Sequence, residues 1–176
     1  RHLLTHTSGL PEYFELSQKH NNTLDTLTNE KLLQLLKTHQ PYVEFGVGEK
    51  WEYNNTGYVI LASVIEKAAG MPIEDFFKQQ ITRTLGMNDT YIYCLRMKQS
   101  PINRVMGYQR KNGRNVLNDL IRLDGVVGDD NVYSSVEDLL KWEQALYTQK
   151  LVSTATWQEA ITPVKLNNGQ THPYGF

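Results

Sequence analysis

The pattern that most limits how this chain can fold is a stop and a restart: an amphipathic run from Tyr58 to Ala68 is halted at Gly70-Met71-Pro72, and another apolar-periodic run begins at Ile73. Glycine accepts the left-handed conformation that ends a helix, and proline suits only the first turn of the next. Two consecutive helices are therefore predicted. The first begins after Asn55-Thr56 and places Tyr58, Leu61, Ala62, Ile65 and Ala68 on one face. The second carries Ile73, Phe76, Phe77 and Ile81 inward and closes near Leu85-Gly86. Upstream, Thr28 is placed to cap a shorter helix with Leu32, Leu33, Leu35 and Leu36, which ends before Pro41.

Beyond this helical stretch the character changes. Val105, Met106 and Tyr108 precede Asn112-Gly113, a dipeptide that accepts the two positive φ angles of a hairpin turn. After a Gly/Asp loop from Gly125 to Asn131, Ser135 to Asp138 reads as a capping box with Asp in place of Glu. It opens a helix with Val136, Leu139, Leu140 and Leu146, anchored in part by Trp142. Asn167-Asn168-Gly169 marks a final turn, and Tyr174-Gly175-Phe176 is expected to begin a strand. No repeat, low-complexity tract or linker divides the chain, so one domain or part of one is expected. With 40% hydrophobic residues among 176, the chain can bury a core.

Charge and composition narrow the partners. A formal net charge of −1 without a like-charged run offers no footprint for nucleic acid. The longest apolar run, Tyr58 to Ile65, is far below the roughly 20 residues that cross a bilayer, so no membrane span is expected in this segment. The lone Cys94 has no internal partner and sits in apolar, Tyr-rich surroundings that suit a buried thiol. His2 and His6 lie four apart without a third ligand nearby, so no metal or other cofactor is expected. The opening at Arg1 without Met and the end without a polar tail lead to the expectation of an internal segment of a longer protein.

The chemical signal is Tyr53-Asn54-Asn55, between a Trp-bearing loop and a helix start. Two readings of it stand on the residues alone. In one, the tyrosine fills a loop pocket while Asn55, with Thr56 as a rival, caps the helix. In the other, a phenol and an amide two residues apart serve proton transfer beside a nucleophile. Lys111-Asn112-Gly113 is read as a turn, and Ser134 and Ser135 as caps. The sequons at Asn21, Asn54 and Asn88 are short enough to arise by chance, and sugar on Asn54 would crowd the tripeptide.

The words in order, Arg1-His2-Leu3-Leu4-Thr5-His6-Thr7-Ser8-Gly9-Leu10-Pro11, Trp51 to Tyr58, Leu85-Gly86-Met87, and Gly128 to Ser135 followed by Glu137-Asp138-Leu139, resemble the serine β-lactamase family of class C type with its DD-peptidase and esterase relatives. The resemblance implies an α+β fold of the β-lactamase/transpeptidase-like kind. This chain would supply mainly its helical portion, with a hairpin and few short strands. About residues 12–120 would form the helical part, and about 121–176 the return toward the sheet. It further implies a serine hydrolase working through an acyl-enzyme on a small-molecule or peptidoglycan-like amide or ester, in a periplasmic or extracellular setting. In the family a Ser-x-x-Lys precedes such an opening and a Lys-Thr-Gly or His-x-Gly strand follows; neither occurs in those places between Arg1 and Phe176, so this stretch by itself is expected to be inactive.

By the same resemblance Tyr53 is the general base and later acid, and Asn55 hydrogen-bonds the lysine and the substrate's amide carbonyl. Tyrosine ionises near pH 10, so the family's lysine is what makes a phenolate available. Asp130 and Asn131 stand where relatives often show paired glycines and are expected to border the cleft and bind substrate; Val47-Gly48 replaces a Pro-Gly turn. A non-catalytic binding or regulatory module on the same fold is the alternative the resemblance leaves open.

Overall fold

The computed structural model describes residues 1–20, 26–97, 101, 103–119 and 123–173. The strand expected at Tyr174 and the sequon at Asn21 lie outside them. The described helices are α1 (Tyr13–His20), α2 (Asn29–His39), α3 (Asn55–Ala69), α4 (Ile73–Phe77), α5 (Arg83–Leu85), α6 (Val136–Leu146) and α7 (Thr154–Ile161). Three two-stranded antiparallel ladders accompany them: β1 (Tyr91–Ile92) with β4 (Val132–Tyr133), β2 (Tyr108–Lys111) with β3 (Arg114–Leu117), and β5 (Val164–Lys165) with β6 (Thr171–His172).

The predicted starts and stops hold where a cap decides them. Thr28 takes extended backbone and accepts the Lys31 N–H, opening α2, and Gly70 ends α3 in the left-handed conformation. The helix after Pro72 is one continuous rod with a π turn over Lys78–Thr82, closed where the Met87 N–H reaches the Thr82 carbonyl at 2.8 Å. Asn112 and Gly113, at φ 50° and 77°, make the expected hairpin turn between β2 and β3. Asn167-Asn168-Gly169 turns β5 back into β6.

Other expectations are corrected. The cap of α3 is Asn54, not Asn55 or Thr56. Asn54 has the extended backbone a cap needs, and its Oδ1 accepts the Gly57 N–H at 2.8 Å, while the Thr56 hydroxyl donates instead to the Pro11 carbonyl. The inward face of α3 is centred on Val59 and Ala62, with Ala68 exposed. Of the two serines, Ser135 caps α6, whereas the Ser134 hydroxyl pairs with that of Thr90. The capping box is half made, because Asp138 turns away from the cap to bind other elements, and Trp142 lies partly exposed. Helices α1 and α7 and the β1–β4 pairing were not predicted: all are short, α1 is tied to Asp129 through Tyr13, β1–β4 pairs Tyr91 with Tyr133, and α7 opens at a Ser153 cap without burying any residue.

Two apolar clusters meet on α3. Val59 packs with Tyr13 and Leu16 of α1, with Leu27 and Leu32, and with Val126; one turn on, Ala62 packs with Ile73, Ile92, Cys94 and Val127. The consecutive pair Val126-Val127 thus feeds both clusters. Asn29 is tied in between: its Oδ1 accepts the Val127 N–H at 2.9 Å, and its Nδ2 donates to the Val127 carbonyl at 2.9 Å and the Val59 carbonyl at 3.3 Å. Cys94 is the buried thiol expected, with its sulfur 3.7 Å from a Glu74 carboxylate oxygen.

Asp138 clasps α6 to the segment before β1. Its carboxylate accepts the Asp89 N–H at 2.7 Å, the Thr90 hydroxyl at 2.9 Å and the Lys141 ammonium at 2.6 Å, and Lys141 also donates to the Gly86 carbonyl. Burial pushes this carboxyl up, but the bonds from Lys141, Asp89 and Thr90 prevail and hold it below the usual aspartate range. A depressed carboxyl stabilises the fold fully above the unfolded value of about 4 and loses that contribution as pH falls through the folded one. The melting temperature of Asp138→Asn therefore lies below wild type at pH 7, and the gap closes as pH falls below about 4. Thermal melts from pH 7 to 2 check this; a gap independent of pH would count against it.

Candidate active site

Tyr53 to Thr56 form the last loop residues and the first turn of α3, and each is gripped by the segment from His6 to Glu12. The His6 ring lies 4.5 Å from the Tyr53 ring in a tilted contact and 5.0 Å from the Tyr58 ring in a stacked one, with Trp51 edge-on at 5.9 Å. Its Nδ1 accepts the Asn54 N–H at 3.0 Å, so the proton of the neutral ring sits on Nε2. Burial lowers the His6 pKa, despite the nearby Glu12 carboxylate, and the imidazole stays neutral at pH 7. The Asn54 amide donates to the Leu10 carbonyl at 2.8 Å. The Glu12 carboxylate accepts from the Asn55 backbone N–H at 2.6 Å and from Asn55 Nδ2 at 3.2 Å.

The backbone of this cradle depends on Gly9. Its φ is 72°, and a Cβ there would fall 2.0 Å from the Phe45 carbonyl oxygen, so only glycine lets the loop before Tyr53 lie against the opening segment. The Gly9 carbonyl accepts the Glu44 N–H, and the Thr7 carbonyl accepts the Gly48 N–H. Gly48 makes its turn without a preceding proline, as expected, and the β5–β6 hairpin braces it: Asn167 Nδ2 donates to the Val47 carbonyl, and His172 stacks on Trp51 at 4.3 Å.

Tyr53 is 58% exposed, and its hydroxyl makes no hydrogen bond among the described residues. Asp130 and Asn131 lie on the loop after Val126-Val127 and make no hydrogen bond to Tyr53 or Asn55 among those residues. Asn131, at φ 69°, stands in the left-handed region that asparagine tolerates and glycine prefers; its Nδ2 donates to the Val126 carbonyl. The loop reaches the cradle through Asp129, whose carboxylate accepts the Tyr13 hydroxyl at 3.0 Å, one residue from Glu12. Withdrawal of its carboxyl from water and, next, the charges of Asp129 and Asp124 push Asp130 up to about 6. Sequence reasoning missed His6 as a ring support and Glu12 altogether. Glu12 lies 43 positions from Asn55, and no local spacing signals such a pair.

His2 and His6 point to different partners, His2 to the Thr7 hydroxyl and His6 to Asn54. Among the described residues no group of three His, Cys, Asp or Glu side chains is placed to hold a metal, and no helix is long and apolar enough to cross a membrane.

A helix-rich α+β domain with short antiparallel ladders, displaying Tyr-x-Asn at the start of its central helix, defines the class: the penicillin-binding-protein/β-lactamase fold. A penicillin-binding protein from Bacillus halodurans superposes with a TM-score of 0.79 over 99% of this chain and 54% of that one, at 28% identity. The octameric penicillin-binding protein homologue from Pyrococcus abyssi does so at 0.77, with 30% identity over 99% of this chain and 42% of that one. The beta-lactamase family model matches residues 1–176, and the chain belongs to that family. Penicillin-binding protein 4* of Bacillus subtilis is 38% identical over 100% of this chain and 41% of its own length; the D-alanyl-D-alanine-carboxypeptidase/endopeptidase AmpH of Escherichia coli K12 is 30% identical over 81% and 34%. The chain thus spans about two-fifths or less of the curated relatives it matches.

Proposed function

We propose that this chain carries the tyrosine half of the acyl-transfer site of a serine hydrolase of the β-lactamase/DD-peptidase/amidase kind. The observation that carries this reading is the cradle: a solvent-facing phenol in tilted ring contact with a neutral imidazole, beside an asparagine amide held by a carboxylate. A serine hydroxyl attacks a carbonyl only when a base removes its proton. Tyr53 Oη takes that proton as the serine oxygen bonds to the carbonyl carbon, then returns it to the leaving amine or alkoxide. Asn55 accepts from the lysine of Ser-x-x-Lys through Oδ1 and donates to the substrate's amide carbonyl through Nδ2. Serine and lysine come from the full-length protein outside this chain, and the reaction needs no cofactor.

Asp130 and Asn131 border the cleft, and the charge on Asp130 disfavours anionic groups passing that loop near neutral pH. The substrate class is a small or peptidoglycan-like amide or ester, in keeping with the carboxypeptidase/endopeptidase activity for which AmpH is named, and a peptidoglycan-like substrate would be met outside the cytoplasmic membrane, in a periplasmic or extracellular setting. Residues 12–120 and 121–176 belong to one domain in this reading. The full-length protein, incubated with a labelled penicillin, a D-alanyl-D-alanine ester and an activated ester, forms a covalent adduct on one serine, read by intact mass and peptide mapping. No adduct with any of the three would sink the proposal.

A further inference from the structure

We propose that Glu12 is a positioning residue that sets which way round the Asn55 side-chain amide faces the site, and so controls acyl transfer. The inference rests on the acyl-transfer reading above and goes one layer beneath it. A carboxylate only accepts hydrogen bonds, so the atom of Asn55 that lies 3.2 Å from Glu12 Oε2 is the nitrogen. One Nδ2 hydrogen is spent on Glu12. The second hydrogen and both lone pairs of Oδ1 are left for the cleft, one donor for a carbonyl and one acceptor for an ammonium.

The fork is closed on its other tine, where Glu12 Oε1 takes the Asn55 backbone N–H at 2.6 Å. With both carboxylate oxygens engaged by the same residue, the Asn55 rotamer and the amide orientation are fixed together. Both residues are half-buried, which strengthens a charge-assisted bond relative to one in water. The rest of the cradle leaves no slack: Asn54 on one side holds the Leu10 carbonyl, and Thr56 on the other holds the Pro11 carbonyl at 2.7 Å, so the backbone on either side of Glu12's partner is pinned to the backbone just before Glu12.

A plain structural role is the competing explanation, because Asn55 is the first residue of α3 and a carboxylate there satisfies a helix N-terminus. Glu12→Gln separates the two. The new amide oxygen still accepts the Asn55 backbone N–H, so the helix start is kept, but its NH2 group meets Nδ2 donor to donor. The Asn55 amide must then turn over, presenting the wrong atoms to lysine and carbonyl alike.

In the full-length protein, Glu12→Gln is expected to lower acylation by a labelled penicillin tenfold or more, to add nothing in an Asn55→Ala background, and to shift the Asn55 side-chain amide signals in spectra of 15N-asparagine-labelled protein. Glu12→Asp, which restores two acceptors on a shorter stem, is expected to recover part of the rate. Acylation within twofold of wild type in Glu12→Gln, an effect that survives in Asn55→Ala, or unaltered Asn55 amide signals would each overturn the proposal. So would loss of the folding transition in both Glu12 variants, since holding the helix start would then be the whole role. If wild type forms no acyl-enzyme, the serine-hydrolase reading fails by itself. The amide spectra then decide whether Glu12 orients Asn55.

Discussion

Tyr53→Phe in the full-length protein is expected to slow acylation by a labelled penicillin by about 100- to 10,000-fold, the range lost with a positioned proton-transfer group. The substitution removes one oxygen and keeps the ring. The tilted ring contact with His6 at 4.5 Å is retained, and the hydroxyl has no hydrogen-bond partner among the described residues to lose. The side chain is 58% exposed, so the melting temperature should stay within about 2 °C of wild type. A stopped-flow acylation assay with a parallel thermal melt reads both quantities. An unchanged acylation rate removes Tyr53 from the mechanism, and a large loss of stability would mean that the rate change reports folding.

The second large effect is on stability. Asn29→Ala is expected to cost about 2–4 kcal/mol, because one side chain answers both backbone groups of Val127 in a buried setting and each unmet group costs roughly 1–3 kcal/mol. For a domain of about this length that corresponds to a fall in melting temperature of about 5–15 °C, and to a smaller fall in a longer cooperative unit. The loss falls at the seam where the two apolar clusters meet, with Val126 in one and Val127 in the other. The same segment leads into the loop with Asp130 and Asn131, so the variant also loosens the proposed border of the cleft. Calorimetric melts of the two proteins under one buffer measure the difference; coincident transitions would show that other partners take over the Val127 groups.

These two residues differ in how readily the sequence revealed them. Tyr53 stood out because a family word frames it and a helix start follows it. Asn29 was only the residue after a predicted cap, and its value arises from Val127, 98 positions away.

What the sequence determined by itself is what local forces decide: the capped start of α2 at Thr28, the stop at Gly70, the restart after Pro72, the Asn112-Gly113 hairpin and the Ser135 cap. Each depends on backbone conformations and hydrogen bonds within about four residues, and side-chain type is enough to predict them. The ordered words also placed Tyr53 and Asn55 as a pair. The tertiary structure alone decided that Asn54 caps α3, that His6 carries the Tyr53 ring, that Glu12 holds Asn55, and that Asp138 leaves its own helix cap for Asp89 and Thr90. In each case a polar or aromatic group had several competing partners of similar strength, and the winner was set by which distant segment packing brought within about 3–5 Å, a choice no local pattern encodes.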